Sequence, residues 1–532
     1  MSAVGVTGTH GGWLAPPARV LGLVRGVAAR PWLLDLVVFA AIGLYIAAML
    51  PTLTRFPAVI NDEGREANMF WVASRADPAA ERMNAHRGFP TWGTGGLQGL
   101  TAGVIFRVAG VGVFQARLTS LVWGLALLAL TYLLARQYWG RAAAAVAVVV
   151  LAVSDPFLVS THTLRPDIQV ATLVVGSLLL VERAVATGRA WPAVAAGVLM
   201  VLSADTHLNS LGFIPFVGGV FLVRQGWTFW RKRLPWLFAA GLGLGALYYL
   251  AVRVAPDPVG YVTAMGYWVG VDKAPPSLRS AGNPLGPLSA ELERYWDYFG
   301  EDPLELALVV AAIGAGLIWA VRGSQSARVL LLGLALVAVF FVVAVSMKSK
   351  YYMVLTYPVY AILIGHLLER VAFWISAMGP VVWRTAVAGG VLAALAALVV
   401  LIPMRASDRA WDNYIRAHRY RSGQEYTALT DQLHRLAGPG ARILAPPAYW
   451  IGLKDHSYID IYVYERLYRQ MRMSPAQFLE ETRPDFVITD AKIAQEKPVE
   501  KILYNELDAR ATRELIVRHK NYGDVAIYRL RW

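Results

Sequence analysis

Residues 94–113, TGGLQGLTAGVIFRVAGVGV, decide how this chain is threaded through a bilayer. The run is moderately apolar, rich in glycine and interrupted by Arg107, a composition that suits either a span or a helix lying along the interface. Around it lie apolar runs near 34–53, 118–135, 142–160, 168–187, 190–205, 208–224, 234–254, 303–321, 328–346, 351–368 and 385–403. A spanning helix needs about 20 mostly apolar residues, so these runs predict about eleven crossings. Charge parity settles the remaining one. If 94–113 stays out of the count, the loops Arg136–Arg141, Arg183–Arg189, Arg224–Arg233 (with Arg231-Lys232-Arg233), Arg322–Arg328 and Arg370–Arg384 all fall on one side, each short and basic. That is the positive-inside pattern, and a crossing at 94–113 would invert it at every loop. The expectation is therefore that 94–113 does not cross.

Composition agrees with a multi-pass membrane protein. A mean hydropathy of +0.45, with 56% hydrophobic and 16% charged residues, is too apolar for an ordinary soluble chain of 532 residues. The net charge of +14 does not point to nucleic acid, because no basic soluble module interleaved with aromatics is present. Basic cytoplasmic loops and contact with anionic headgroups account for it. The absence of cysteine excludes disulfides, thiolate catalysis and cysteine-ligated zinc. Residues 1–33 carry Arg19, Arg25 and Arg30 and no acid, which predicts a cytoplasmic N-terminal segment followed by a retained first helix.

The fold class expected is an α-helical polytopic membrane protein with juxtamembrane helices in a first outer loop, 54–117, and a membrane domain covering 34–403. Residues 404–532 differ in composition: β-rich runs at 441–445, 485–489 and 525–528 alternate with helical patterns at 424–437 and 498–512. This predicts a small extracytoplasmic α/β domain. It contains no GxGxxG, P-loop or HExxH, and the chain shows no internal repeat.

The threading places the unusual polar residues at one face. Asp62 and Glu63 follow the first span, and the segment after them mixes Ala67, Met69, Phe70, Trp71 and Val72 with charges, as a surface-lying helix does. A partly dehydrated acid there suits a general base. Arg165 and Asp167 open the next outer helix. Capping explains much of that motif, and a guanidinium fork for phosphate is the sharper reading. Asp205 and His207 close the fifth run, and Asp62, Asp205 and His207 leave a divalent metal open without any ligand spacing to support it. Lys348 and Lys350 run against the positive-inside bias, which snorkelling or a lipid phosphate would explain. His86 lies in a polar stretch of the first loop and reads mostly as a loop histidine.

Three stretches carry a family resemblance: the Asp62-Glu63 pair, FQARLTSLVWGLALLALTYLLARQYWGRAAAAVAVVVLAVSDPFLVSTHTLRPD at 114–167, and KSKYYMVLTYPVYAILIG at 348–365. They resemble the dolichyl-phosphate-mannose protein mannosyltransferase superfamily. Its bacterial branch includes the lipid A aminoarabinose transferase and rhizobial lipopolysaccharide sugar transferases. The resemblance, over about 34–370, implies a GT-C glycosyltransferase that uses polyprenyl-phosphate sugars. It implies Asp62 as catalytic loop acid with Glu63 beside it, Arg165 and Asp167 as the second-loop motif, and Lys348 and Lys350 facing the lipid carrier. His207 and His86 are added as substrate-side candidates. Arg87-Gly88-Phe89-Pro90-Thr91-Trp92 and Asp205-Thr206-His207 depart from the family pattern, so donor and acceptor identities do not carry over.

The expected reaction moves one sugar from a polyprenyl-phosphate carrier to an acceptor hydroxyl at the outer face of the plasma (inner) membrane. The partners are thus the lipid-linked donor, an unknown envelope acceptor and the bilayer, with no nucleic acid and no required cofactor. The alternatives are a transporter or flippase of a lipid-linked sugar, which would favour ionisable groups at the bilayer midplane, and a polymerase or ligase using diphosphate-linked oligosaccharide.

Overall fold

The computed structural model describes residues 31–55, 57–75, 96–262, 286–300, 303–345, 349–377, 422–461, 463–464, 472–490, 503, 505–507, 510–519 and 521–532. Among the described residues seven helices are long and apolar enough to cross a membrane, or eight if one bent pair counts as a single span. In chain order the helices are α1 (Pro31–Met49), α2 (Asn61–Arg75), α3 (Gly96–Ala109), α4 (Val113–Trp139), α5 (Arg141–Val153), α6 (Asp155–Thr161), α7 (Asp167–Thr187), α8 (Ala190–Thr206), α9 (Phe213–Gln225), α10 (Arg233–Tyr249), α11 (Gly286–Phe299), α12 (Pro303–Val321), α13 (Gln325–Ala344) and α14 (Met353–Ala377). The chain is a multi-pass membrane protein.

The predicted single run 142–160 is two helices, α5 and α6, bent by 63°. Ser154 is extended between them and Pro156, without an N–H, sits in the first turn of α6, so the first helix cannot continue. The predicted run 385–403 lies outside the described residues. α3 has 14 residues and is therefore about 21 Å long, short of a bilayer's hydrocarbon core. Leu100, Val104 and Val108 form an exposed apolar ridge along it, as an interfacial helix requires. The loop predicted from 255 to 302 contains a helix that the sequence did not announce, α11, with Glu291 and Arg294 buried and paired.

Helices α4, α5, α7, α8, α9 and α14 share one core, which includes Leu127, Leu151, Val174, Met200, Phe216 and Ile362. Small residues allow the closest approaches. Gly197 of α8 packs on the Phe238 carbonyl of α10, and Gly241 of α10 on the Val194 carbonyl of α8. At one end of this bundle Asp35 binds Tyr132, Arg136 and Arg141, while Glu182 takes Arg224 at 2.9 Å and Tyr138 at 2.8 Å. Since α4 and α7 end there, their first turns lie at the opposite end, beside α2 and α3.

The tail forms a mixed five-stranded sheet, ordered β2-β1-β3-β5-β4, from β1 (Arg442–Ala445), β2 (Ser457–Asp460), β3 (Phe486–Asp490), β4 (Ala511–His519) and β5 (Gly523–Leu530). β1 runs parallel to β2 and β3, and β5 is antiparallel to β3 and β4. α15 (Ser422–Ala437) covers one face. The helix predicted over 498–512 ends in strand instead, since Ala511 and Thr512 already pair with β5. One apolar cluster joins this domain to α2 and α3: Ala67, Phe70, Ala102 and Phe106 pack with Tyr426, Ile443, Tyr449 and Tyr522.

Candidate active site

α2 begins with its acids in the first turn, where the positive end of the helix dipole favours carboxylates. Its position is fixed from outside. The Tyr522 hydroxyl donates to the Val59 carbonyl at 2.9 Å, and the Ala448 N–H donates to Asn61 Oδ1 at 3.2 Å. Gly64 lies so close to the Pro447 carbonyl oxygen that any Cβ would overlap it. From the membrane bundle, Arg117 of α4 donates to both oxygens of Glu63, at 2.7 and 2.8 Å, and to the Leu53 carbonyl at 2.8 Å. The Leu164 N–H adds a bond to Glu63 Oε1 at 3.3 Å. Both members of the Glu63–Arg117 pair are fully buried.

Asp62, the preceding residue, faces outward and its side chain is 39% exposed. Its Oδ2 pairs with Arg165 Nη1 and its Oδ1 accepts from Arg65 Nη2 at 3.2 Å. Arg165 also donates through Nε to Asp167 Oδ2 at 2.8 Å, and its guanidinium carbon lies 4.5 Å above the ring of Tyr351. This contact brings the turn ahead of α14 beside the start of α7. Asp167 is buried, and among the described residues its Oδ1 has no hydrogen-bond partner. One turn after Asp62, Glu66 lies 3.7 Å from Arg65. Burial raises its carboxyl to about 7, with Arg65 opposing the shift and the Asp62 charge adding to it. His207 follows α8, its ring edge-on to Tyr352 at 5.5 Å. Burial pushes its pKa down, so the imidazole is neutral at pH 7.

Comparison with known proteins bears on the fold. Residues 98–257 match the family model described as dolichyl-phosphate-mannose-protein mannosyltransferase. ArnT from Cupriavidus metallidurans, solved bound to undecaprenyl phosphate, superposes with a TM-score of 0.59 at 17% identity, over 93% of this chain and 97% of that one. The chain has the GT-C fold. The same GT-C architecture relates it to the Archaeoglobus fulgidus oligosaccharyltransferase, solved with a tethered acceptor peptide, with a TM-score of 0.52 at 14% identity over 95% of this chain and 75% of that one. No curated protein sequence matched.

Within the candidate site the residues singled out from the sequence fall into three groups. Asp62, Arg165, Asp167 and His207 come together, since the charges of Asp62, Arg165 and Asp167 all act on His207. Two expectations are corrected. Glu63 does not face a substrate, because Arg117 and Leu164 occupy its carboxylate in the interior. Nor do Asp62, Asp205 and His207 form a metal-binding trio: Arg253 takes both oxygens of Asp205, at 2.8 and 3.0 Å, and among the described residues no three such side chains are grouped to hold a metal. His86 and Lys348 lie outside the described residues, as does the side chain of Lys350, whose backbone opens the turn Lys350–Tyr352.

Sequence reasoning missed Arg117 and Arg253. Arg253 stands inside an apolar run and Arg117 directly ahead of one, where a buried cation calls for a partner, and that signal would have found them. Glu66 stood in view as the third acid of the stretch 61–66, without a role of its own; its place one turn after Asp62 on the same helical face supplies one.

Proposed function

We propose that this chain transfers a sugar, hexosyl or pentosyl, from a polyprenyl-phosphate carrier to an acceptor hydroxyl of a glycolipid, polysaccharide or protein at the outer face of the plasma membrane. The convergence of Asp62, Arg165, Asp167 and Tyr351 at one end of a GT-C bundle carries this reading. It is supported by the ArnT relative solved with undecaprenyl phosphate. Orientation follows from the arginines at the opposite end, Arg136, Arg141 and Arg224, which the positive-inside rule assigns to the cytoplasm.

The leaving group is a phosphate that departs as an anion, so the reaction needs cationic stabilisation more than an acid. Lys348 and Lys350, just ahead of α14, supply that charge. Arg165 is already committed to Asp62 and Asp167, and it serves chiefly to aim Asp62 at the acceptor. The orphaned oxygen of buried Asp167 is suited to accept from a sugar hydroxyl. A carboxylate on α2 takes the acceptor proton, and in-line attack inverts the anomeric centre.

Mass spectrometry of lipids co-purifying with the protein, followed by incubation with polyprenyl-phosphate sugars, tests the reading. Bound polyprenyl phosphate and its release on turnover are expected. Consumption of a diphosphate-linked oligosaccharide in its place would assign the chain to the ligase class.

A further inference from the structure

Asp62 and Glu66 share one face of α2 with Arg65 between them, 3.2 Å from the first carboxylate and 3.7 Å from the second. Their surroundings differ sharply. Asp62 has a guanidinium on each oxygen, so an incoming hydroxyl proton would compete with two cations for its lone pairs. Glu66 has no side-chain hydrogen bond among the described residues and touches a single cation at long range, while 16% of its side chain remains exposed. Facing it are Arg65 and Asp62 from its own helix and Arg165 and Asp167 from the start of α7. Of the other segments packed on α2, α4 brings Arg117, which is spent on Glu63, α3 carries only Arg107, in its last turn, and residues 447–453 carry no charge.

We infer that Glu66, not Asp62, is the general base of the transfer, with Asp62 holding and orienting the acceptor through the Arg65–Asp62–Arg165 array. The assignment rests on the transferase reading above. In the step, the acceptor oxygen forms its bond to the anomeric carbon and that carbon's bond to phosphate breaks. The hydroxyl proton passes to the Glu66 carboxylate, and the electron pair leaves on the carrier phosphate. Two carboxyls whose environments differ in this way divide the roles of orienting group and proton acceptor. A base that ionises near the working pH is also the more effective acceptor. Since burial raises Glu66 to about 7, the rate should fall on the acid side of neutrality as the carboxylate is protonated.

The test measures release of polyprenyl phosphate from a polyprenyl-phosphate sugar by the full-length protein, from pH 5 to pH 9, for wild type, Glu66→Gln, Glu66→Asp and Asp62→Asn. Glu66→Gln is expected to lower kcat by about 100-fold or more and to abolish the acid limb near pH 7, while binding polyprenyl phosphate like wild type. Glu66→Asp should keep the limb at reduced kcat, and Asp62→Asn should lower kcat with the limb in place. Turnover of Glu66→Gln within about threefold of wild type, a limb that survives in it, or a limb lost in Asp62→Asn alone would overturn the assignment. No release by wild type sinks the transferase reading itself, and Glu66 as base falls with it.

Discussion

Replacing Glu63 by Gln would leave the Arg117 guanidinium charged and buried without its counter-ion. Breaking such a pair costs about 3–5 kcal/mol, far more than the pair contributes relative to an apolar isostere. Glu63→Gln is therefore expected to lower the thermal midpoint in detergent strongly, and Glu63→Gln with Arg117→Met should recover much of the loss. Equal instability of the single and double variants would show that the pair is not what anchors α2. Glu66 gives a second residue-level expectation, with a sign. Its folded pKa lies above the unfolded value of 4.5, so its contribution is complete below about pH 4.5 and is lost as pH rises to about 7. Glu66→Gln abolishes that dependence, and its stability relative to wild type should grow by roughly 3 kcal/mol from pH 4 to pH 8. A constant difference across that range would contradict the burial of Glu66. The acid pair 62–63 was legible because it follows an apolar run, but its division into one exposed and one interior carboxylate was not. The residue that decides it, Arg117, lies 54 positions away.

At the scale of elements, α2 is held between α4 and the turn at 447–449, and Gly64 is the point of closest approach. Gly64→Ala must push α2 away from the Pro447 carbonyl and shift Asp62 and Glu66 with it. A displacement near 1 Å is enough to cost about 100-fold in rate, so kcat should fall by about 10- to 100-fold while α4 and the bundle stay folded. Hydrogen exchange should rise at 447–453 and not in α7. Wild-type kcat in Gly64→Ala would mean the turn does not position α2. The long apolar helices were readable from length alone. The shorter features were less so: α11 was read as loop because its apolar and charged residues bury together, and β4 was missed because, as an edge strand, most of its side chains are exposed.

For the whole molecule, the distribution of arginine over the loops was the most informative signal in the sequence. It set aside 94–113 as a non-crossing segment, and the short α3 with its exposed apolar ridge fits that assignment. Reporter fusions at 138, 228 and 325 should all report the cytoplasm, and fusions after 437 the outside. A periplasm-type signal at 228 would invert the orientation on which the transferase reading stands. The packing of the tail sheet onto the segment that carries α2 and α3 was not legible, since it depends on single contacts such as Tyr522 to Val59, 463 residues apart. That span sets the timetable of biosynthesis. The ribosome makes the acid-bearing loop first and Tyr522 only 463 residues later. Until the tail has docked, the loop lacks one of its walls. Chains halted before Tyr522 should therefore be chemically silent.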